Sequence, residues 1–203
     1  MCVIIYKNKN VNIELETLKL ACETNKDGVG VAYKLNNKWY IEKILKPTQK
    51  TLNYLIEKTK KREAVIHFRI ATSGGVNKLN LHPFLFDGNK CLLFHNGVLS
   101  TLNNASKKYN DTQLFTFLLE HKKVNKHELL KNISGYNKFI LIDEDNKLYF
   151  YGNFLEYKGL KCSNLNFLPN ENNKELTCKK WDVGEWYTSR YNLFKNDNDY
   201  LLE

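Results

Sequence analysis

A cysteine at position 2 is the residue of this chain with the clearest chemical potential. Removal of Met1, which a small second side chain permits, would leave a thiol and a free α-amine on one residue. The pKa of an α-amine is roughly 7.7–8.0, so part of it is neutral near pH 7 and can accept the thiol proton. A terminal cysteine therefore carries both nucleophile and base. The alternative interpretation is a small buried cysteine on a first strand.

Four later segments carry further residue types that catalysis uses, and they follow one another at suitable gaps. They are His67-Phe68-Arg69-Ile70-Ala71-Thr72-Ser73-Gly74, Asn80-Leu81-His82-Pro83-Phe84, Phe94-His95-Asn96-Gly97-Val98-Leu99 and Asn110-Asp111-Thr112-Gln113. Together with Met1-Cys2 they resemble the class II glutamine amidotransferases, which show Met-Cys, R-x-A-T-x-G, H-P-F, H-N-G-x-[IL] and an S-D-T-type acid in that order. The segment Asn25-Lys26-Asp27-Gly28-Val29-Gly30 also resembles the N-x-D-G-x-G stretch of the smaller stand-alone members. The resemblance is strongest over residues 1–165.

The resemblance implies a glutaminase reaction and three catalytic residues. The Cys2 thiolate would attack the side-chain amide of glutamine, ammonia would leave, and water would hydrolyse the γ-glutamyl thioester. Asn96, through its side-chain amide, and Gly97, through its backbone N–H, would form the oxyanion hole. Glycine allows the close backbone approach that such a hole requires.

The resemblance also implies three residues that bind the substrate. Arg69 would hold the α-carboxylate of glutamine, because a guanidinium matches a carboxylate with two hydrogen bonds. Asp111 would accept the α-ammonium, and Thr72 would support the substrate or the Arg69 loop. Glutamine or a γ-glutamyl amide is therefore the expected substrate, and we expect no metal ion and no cofactor.

Each of these residues also has a simpler structural interpretation. Arg69 could pair with an acid at a strand end, Asp111 could cap a helix, and Asn96-Gly97 could form a hairpin turn. A catalytically inactive member of the same fold, acting as a structural or interaction protein, is the alternative function. We expect His67, His82 and His95 to be structural, because the mechanism needs no imidazole.

The formal net charge of +9 raises nucleic-acid binding as a third function. Only Arg62, Arg69 and Arg190 are arginines, however, and the lysines are spread along the whole chain. Readout of base edges favours arginine, and a binding face should concentrate its charge. We therefore do not expect a nucleic-acid partner.

Composition favours a globular protein inside the cell. Hydrophobic residues make up 42% of the chain and charged residues 26%, a balance typical of a packed core. No apolar run approaches the roughly 20 residues of a membrane span, and the N-terminus lacks the features of a signal peptide. The five cysteines are scattered, without C-x-x-C pairs or histidines at zinc-finger spacing. We expect a cytoplasmic protein without disulfide bonds and without membrane contact.

Hydrophobic periodicity predicts an α+β fold with antiparallel sheets, because strands and helices come in pairs rather than in strict alternation. The predicted strands are Cys2–Tyr6, Gly28–Leu35, Trp39–Leu45, Ala64–Arg69, Cys91–His95, Lys138–Ile142 and Lys147–Tyr151, and further short strands follow Phe154. The predicted helices are Ile13–Cys22, Gln49–Lys61, Asp111–His121 and Lys126–Lys131. No G-x-G-x-x-G fingerprint opens a helix, which argues against a Rossmann-type sheet.

The resemblance narrows this expectation to the N-terminal-nucleophile hydrolase fold, a four-layer αββα sandwich with two stacked antiparallel sheets. We predict one domain over residues 1–203, with 166–203 as a C-terminal extension of uncertain role. About 40 residues cannot contain a synthase domain. Ammonia would therefore pass to a separate synthase or acceptor subunit, unless the protein is a stand-alone amidase. The aromatic residues of the extension, such as Trp181 and Trp186, could form a docking surface or the last strands of the sheet.

Overall fold

The computed structural model describes residues 1–71, 74–103, 105–122 and 124–169, and these residues contain ten strands and four helices. The strands are β1 Val3–Lys7, β2 Gly28–Leu35, β3 Lys38–Ile44, β4 Ala64–Arg69, β5 Phe84–Phe86, β6 Cys91–Asn96, β7 Lys138–Ile142, β8 Leu148–Tyr151, β9 Leu155–Tyr157 and β10 Leu160–Cys162. The helices are α1 Leu15–Thr24, α2 Gln49–Thr59, α3 Asp111–His121 and α4 Lys126–Ile133. None of these helices has both the length and the apolar character needed to cross a membrane.

The described strands form two antiparallel sheets. The first sheet has six strands in the order β3-β2-β4-β1-β10-β9, and the second has four in the order β5-β6-β7-β8. Successive side chains of a strand point to opposite faces. In β1, Ile4 therefore faces the second sheet, while Val3 and Ile5 face the helices on the other side.

Apolar side chains fill three layers of core between the elements. Ile4 and Phe94 belong to the layer between the two sheets. Leu18 of α1 and Leu55 of α2 cover the outer face of the first sheet, and α3 covers the outer face of the second with Phe115. The α+β class and the four-layer αββα sandwich predicted from the sequence are thereby confirmed.

Three of the four helices begin at a polar cap. Thr48 accepts the backbone N–H of Thr51, whose own side chain accepts the Thr48 N–H, so α2 begins with a capping box. Asn110 caps α3 and Asn125 caps α4 through their side-chain oxygens. These caps account for helix starts that the sequence predicts to the residue.

Most predicted elements end within two residues of their expected bounds. β5 escapes prediction because a three-residue strand carries no periodic pattern. Asn96-Gly97 does not form a hairpin turn: Asn96 is the last residue of β6 and pairs with Lys138 of β7. Gly97 instead begins the long connection to α3. Of the predicted C-terminal extension, residues 170–203 lie outside the described part of the chain.

Antiparallel pairing brings four strand termini to the same end of the first sheet. β1 and β2 begin at the end of the sheet where β4 and β10 finish. The register places Val3 opposite Phe68 and Gly28 opposite Arg69. Cys2, which precedes β1, therefore lies beside the end of β4.

Gly30 shows how closely another segment crosses this sheet. A Cβ built at Gly30 would lie 1.6 Å from the backbone oxygen of His82. Only glycine allows this approach, so the loop before β5 can pass directly over β2. In the Asp27-Gly28-Val29-Gly30 segment, Gly30 is therefore required so that the His82 backbone can pack against β2.

Candidate active site

The Cys2 thiol lies against the backbone of Ile70, directly after β4. Its Sγ is 3.3 Å from the carbonyl oxygen of Ile70 and 3.4 Å from the Ile70 nitrogen, whose N–H it accepts. Burial raises the pKa of the Cys2 thiol, while the Ile70 backbone hydrogen bond and the charge of Arg69 act in the opposite direction. A thiolate formed here would thus be stabilised by one backbone N–H and one neighbouring cation.

Arg69 is the last residue of β4, and its side chain is almost fully buried. Its Nη1 donates to the carbonyl oxygen of Gly75 at 3.2 Å. Burial lowers the pKa of the guanidinium, and the charges of Cys2, Asp27 and Asp111 counteract that change. Charges from four separate segments of the chain therefore act on one another here.

Asp27 fixes the backbone that carries Arg69. Its N–H donates to the carbonyl oxygen of Arg69 at 3.0 Å, and its carboxylate accepts the N–H of Ala71 at 2.7 Å. The strand end is thus held on both sides of Ile70. The sequence shows Asp27 as part of a motif, but only the structure shows that it clamps the segment under the thiol.

Asp111 is the first residue of α3 and is buried, with Asn110 rather than Asp111 as the cap. Its Oδ2 accepts the N–H of Leu99 at 2.8 Å, and its Oδ1 accepts the N–H of Thr112 at 2.8 Å. The helix-cap interpretation of Asp111 is therefore wrong. Backbone donors hold this carboxylate in place, and the helix N-terminus favours its negative charge.

Asn80 ties the loop after Arg69 to the start of α3. Its side-chain nitrogen donates to the carbonyl oxygens of Gly75 and Lys108, at 3.0 and 2.9 Å. Its side-chain oxygen accepts the N–H of Asn110 at 2.8 Å, and the Asn110 side chain donates back to the Asn80 carbonyl at 3.1 Å. These buried hydrogen bonds fix the position of Asp111 relative to the loop that follows Arg69.

His95 supports the same helix start from the other side. Its Nδ1 lies 2.7 Å from Thr112 Oγ1 and its Nε2 lies 2.9 Å from Asn137 Oδ1. Asn137 Oδ1 can only accept, so Nε2 carries the hydrogen and Nδ1 accepts from Thr112 when the ring is neutral. Burial lowers the pKa of His95. The ring therefore positions α3 as a neutral hydrogen-bonding side chain.

Asn96 and Gly97 lie at the end of β6, next to the edge where β1 begins. The Asn96 side chain is buried, with its Nδ2 2.7 Å from Ser163 Oγ. At Gly97 a Cβ would lie 2.1 Å from Asn137 Oδ1, so no larger residue fits without displacing Asn137.

Ser163 and Asn164, directly after β10, join these residues to Cys2. Ser163 Oγ accepts the N–H of Ile4 at 2.9 Å, and Asn164 donates its side-chain N–H to the carbonyl oxygen of Cys2 at 2.8 Å. The sequence does not single out either residue. The only available signal is a polar pair that follows a short apolar strand.

His67 and His82 are fully buried near the site but have no chemical role in this geometry. Their rings are in contact, with centroids 4.1 Å apart and planes tilted by 37°. Burial lowers the pKa of His67 to about 3 and lowers that of His82 well below its ordinary value. Both rings are therefore neutral at physiological pH and pack as polar aromatic side chains.

The structure thus places Cys2 against the backbone that follows Arg69, ties the Arg69 loop to the start of α3, and links Asn96 to β1 through Ser163. Thr72, the sixth predicted site residue, lies outside the described residues.

A second polar group lies away from this site, and we call it the Cys91 cluster: Asp87, Cys91, Lys126 and Glu144. The ligand-type atoms of its two acids and its thiol lie within 4.8 Å of one another. Lys126 Nζ is 3.1 Å from Asp87 Oδ2 and 2.5 Å from Glu144 Oε2. The ammonium supplies the positive charge that these groups require, so an ion-pair network accounts for the cluster.

Comparison with known proteins gives a family and a fold. The family model described as glutamine amidotransferases class-II matches residues 4–115, which include Arg69, Asn96 and Asp111. No curated protein matches the chain.

Two solved structures are similar to the chain. One is the glutamine phosphoribosylpyrophosphate amidotransferase of B. subtilis, with a TM-score of 0.51 and 15% identity over 80% of this chain. The chain covers 41% of that protein. The other is a glutamine aminotransferase class-II domain protein from Silicibacter pomeroyi, with a TM-score of 0.41, 13% identity, and coverage of 80% of this chain and 87% of that one.

Proposed function

The chain belongs to the class II glutamine amidotransferases, and from this membership we propose that it releases ammonia from glutamine with Cys2 as the nucleophile. The substrate is glutamine or another γ-glutamyl amide. Arg69 binds its α-carboxylate and Asp111 its α-ammonium. Thr72 supports the substrate or the Arg69 loop.

One observation carries this proposal. Cys2 exchanges hydrogen bonds with the Ile70 backbone directly after Arg69, and Asn80 ties the loop after Arg69 to Asn110, which precedes Asp111. A thiol next to a buried arginine, with a buried carboxylate tied to the same loop, matches a free α-amino acid that presents an amide.

The first half-reaction forms a thioester. Removal of Met1, whose side chain is exposed, frees the α-amine of Cys2, which takes the thiol proton. The sulfur attacks the amide carbon of glutamine, and the amine returns the proton to the departing nitrogen as the C–N bond breaks. Ammonia leaves, and the γ-glutamyl group stays bound to Cys2 through sulfur.

The second half-reaction hydrolyses the thioester and regenerates the free enzyme. Water attacks the thioester carbon, the amine accepts a proton from the water, and the C–S bond breaks to give glutamate and the thiol. Both steps pass through a tetrahedral oxyanion, which the Asn96 amide and the Gly97 N–H stabilise. Loss of one such donor costs on the order of 10²–10³-fold in rate.

The ammonia released here passes to a separate synthase or acceptor subunit. The support is indirect: the similar B. subtilis protein is an amidotransferase, and this chain covers 41% of it. A cytoplasmic location and a single domain over residues 1–203 belong to the same proposal.

Intact-protein mass spectrometry before and after incubation with diazo-oxo-norleucine tests the proposal. We expect a mass that lacks Met1, one covalent adduct that maps to Cys2, and release of ammonia and glutamate from glutamine by the untreated protein. A retained Met1 with no adduct would refute the enzyme and favour the inactive, structural or interaction protein. An adduct on Cys91 or Cys162 would refute Cys2 as the nucleophile.

A further inference from the structure

Ser163 connects the two sheets at the corner that contains the proposed site. Its hydroxyl oxygen lies 2.9 Å from the Ile4 nitrogen in β1 and 2.7 Å from the Asn96 amide at the end of β6. Its own N–H donates to the Ile4 carbonyl oxygen at 2.9 Å. Ser163 is almost fully buried, so solvent does not compete for these bonds.

A count of donors and acceptors shows that one orientation of the Asn96 amide leaves two buried groups unpaired. The Ile4 N–H can only donate, so Ser163 Oγ must accept it. When Asn96 Nδ2 also donates to Oγ, both lone pairs are used and the hydroxyl hydrogen has no acceptor among the described residues. Asn96 Oδ1 is likewise buried without a donor among those residues. A buried polar group without a partner destabilises the folded protein.

A half turn of the amide about its Cβ–Cγ bond removes that conflict. Oδ1 then accepts the Ser163 hydroxyl hydrogen, and Oγ still accepts the Ile4 N–H. The amide NH₂ takes the position that has no partner. One unpaired group remains instead of two, and it is a donor rather than an acceptor.

We propose that Ser163 is a positioning residue that holds the Asn96 amide with its NH₂ group directed at the substrate oxyanion. The inference rests on the proposed function, because it gives the unpaired NH₂ the tetrahedral intermediate as its partner. Ser163 touches neither the substrate nor the reacting atoms. It acts through Asn96 alone, and its bond to Ile4 ties the oxyanion hole to β1, the strand that directly follows Cys2.

A double-mutant cycle tests this role. Ser163→Ala should lower kcat for glutamine hydrolysis about tenfold and leave KM unchanged, since the donor acts in the transition state. Ser163→Thr, which keeps the hydroxyl, should restore most of kcat. In an Asn96→Ala background, Ser163→Ala should have no further effect on kcat. Equal effects in both backgrounds would overturn the inference.

Thr59→Val provides the matched control, because it removes another buried hydroxyl that bonds only within α2. It should lower stability without a change in kcat. A fall in kcat for this variant as large as that for Ser163→Ala would mean that general destabilisation explains both, and would overturn the inference.

Neutron diffraction from a deuterated crystal separates this inference from the proposed function. Two deuterons on the amide atom farther from Ser163, with the hydroxyl deuteron on the Ser163–Asn96 line, would support the inference whether or not the protein hydrolyses glutamine. Deuterons on the atom nearer Ser163 would overturn it even in an active enzyme. Failure of the wild type to release ammonia would count against the proposed function alone.

Discussion

Cys2 and Cys91 each lie near a cationic side chain, but the surrounding carboxylates are arranged differently. In the Cys91 cluster the thiol donates toward Glu144 at 3.3 Å, and Lys126 Nζ lies 3.5 Å from the sulfur. Burial and Glu144 raise the pKa of Cys91 to about 12. At Cys2 the sulfur instead exchanges hydrogen bonds with the Ile70 backbone, and no carboxylate accepts its proton among the described contacts.

The acids near Arg69 are also held differently from those near Lys126. Asp27 and Asp111 accept backbone N–H groups, whereas Asp87 and Glu144 contact the lysine directly. The Arg69 charge lowers the pKa of the Cys2 thiol, whereas the two acids of the Cys91 cluster bind Lys126 directly. The different arrangement of acids around the two thiols leads us to expect a difference in reactivity between Cys2 and Cys91.

The largest expected difference between the two thiols is in activity. Cys2→Ala should lower glutamine hydrolysis by about 10⁴-fold or more, because no other group can form the thioester. Cys91→Ala should leave the rate unchanged. Ammonia and glutamate release by the purified variants measures both. Wild-type rates for Cys2→Ala would place the nucleophile elsewhere.

Conservative substitution of each cation, Arg69 and Lys126, should give the next largest difference, in KM for glutamine. Arg69→Lys removes the planar fork, so KM for glutamine should rise about 10- to 100-fold, as expected for a lost charged hydrogen bond. The matched change Lys126→Arg keeps its two ion pairs and should leave KM unchanged. Steady-state kinetics over a range of glutamine concentrations distinguishes them. An unaltered KM for Arg69→Lys would contradict the carboxylate-binding role.

The sequence predicts the fold well where periodic patterns are long. Apolar spacing and cap residues predict the strand Ala64–Arg69 and the helix Asp111–His121, and the structure confirms their bounds. β5 has only three residues, and its partner is set by tertiary pairing with β6. Local patterns carry no such information.

The candidate site likewise contains residues that the sequence predicts and one that it does not. Cys2, Arg69, Asn96 and Asp111 follow from ordered motifs, and their roles remain predictions. Ser163 could not be predicted, because its contact with Ile4 spans 159 residues of sequence. Two residues so far apart are joined only when β10 pairs with β1, and that pairing is a property of the whole sheet.

The rate of alkylation at pH 9 should further distinguish the Cys91 thiol from the Cys2 thiol. Glu144 raises the pKa of Cys91 and Lys126 lowers it, so Glu144→Gln should lower that pKa and increase the thiolate fraction at pH 9. Iodoacetamide should then label Cys91 about tenfold faster for each unit by which the pKa falls, while labelling of Cys2 should not change. Peptide mass spectrometry at timed intervals gives both rates.

Asp145→Asn is the control for that experiment, because Asp145 is a neighbouring exposed acid that pairs with Lys147. It should leave Cys91 labelling as in the wild type. An equal acceleration by Asp145→Asn would mean that any lost surface acid opens the cluster, and the direct bond between Glu144 and the thiol would not be the cause.

The smallest expected effect concerns stability. Lys126→Met should lower the free energy of unfolding by about 1 kcal/mol or less at pH 7, because Asp87 and Glu144 are about half exposed and solvent screens the pairs. The hydrogen bond from Lys126 is the largest of several contacts that lower the pKa of Glu144 from 4.5 to about 2. The stabilisation is therefore present above pH 4.5 and is lost as the pH falls toward 2.

Urea denaturation of the wild type and Lys126→Met at pH 7 and pH 3 measures this loss, and the difference between the two proteins should shrink at pH 3. Lys147→Met, which breaks the exposed pair with Asp145, should change stability less at both pH values. Glutamine hydrolysis by Lys126→Met should match the wild type, because the cluster stabilises the second sheet without reaching Cys2. A large fall in kcat at unchanged stability would show that Lys126 acts on the site, and the contrast between the two thiols would not hold.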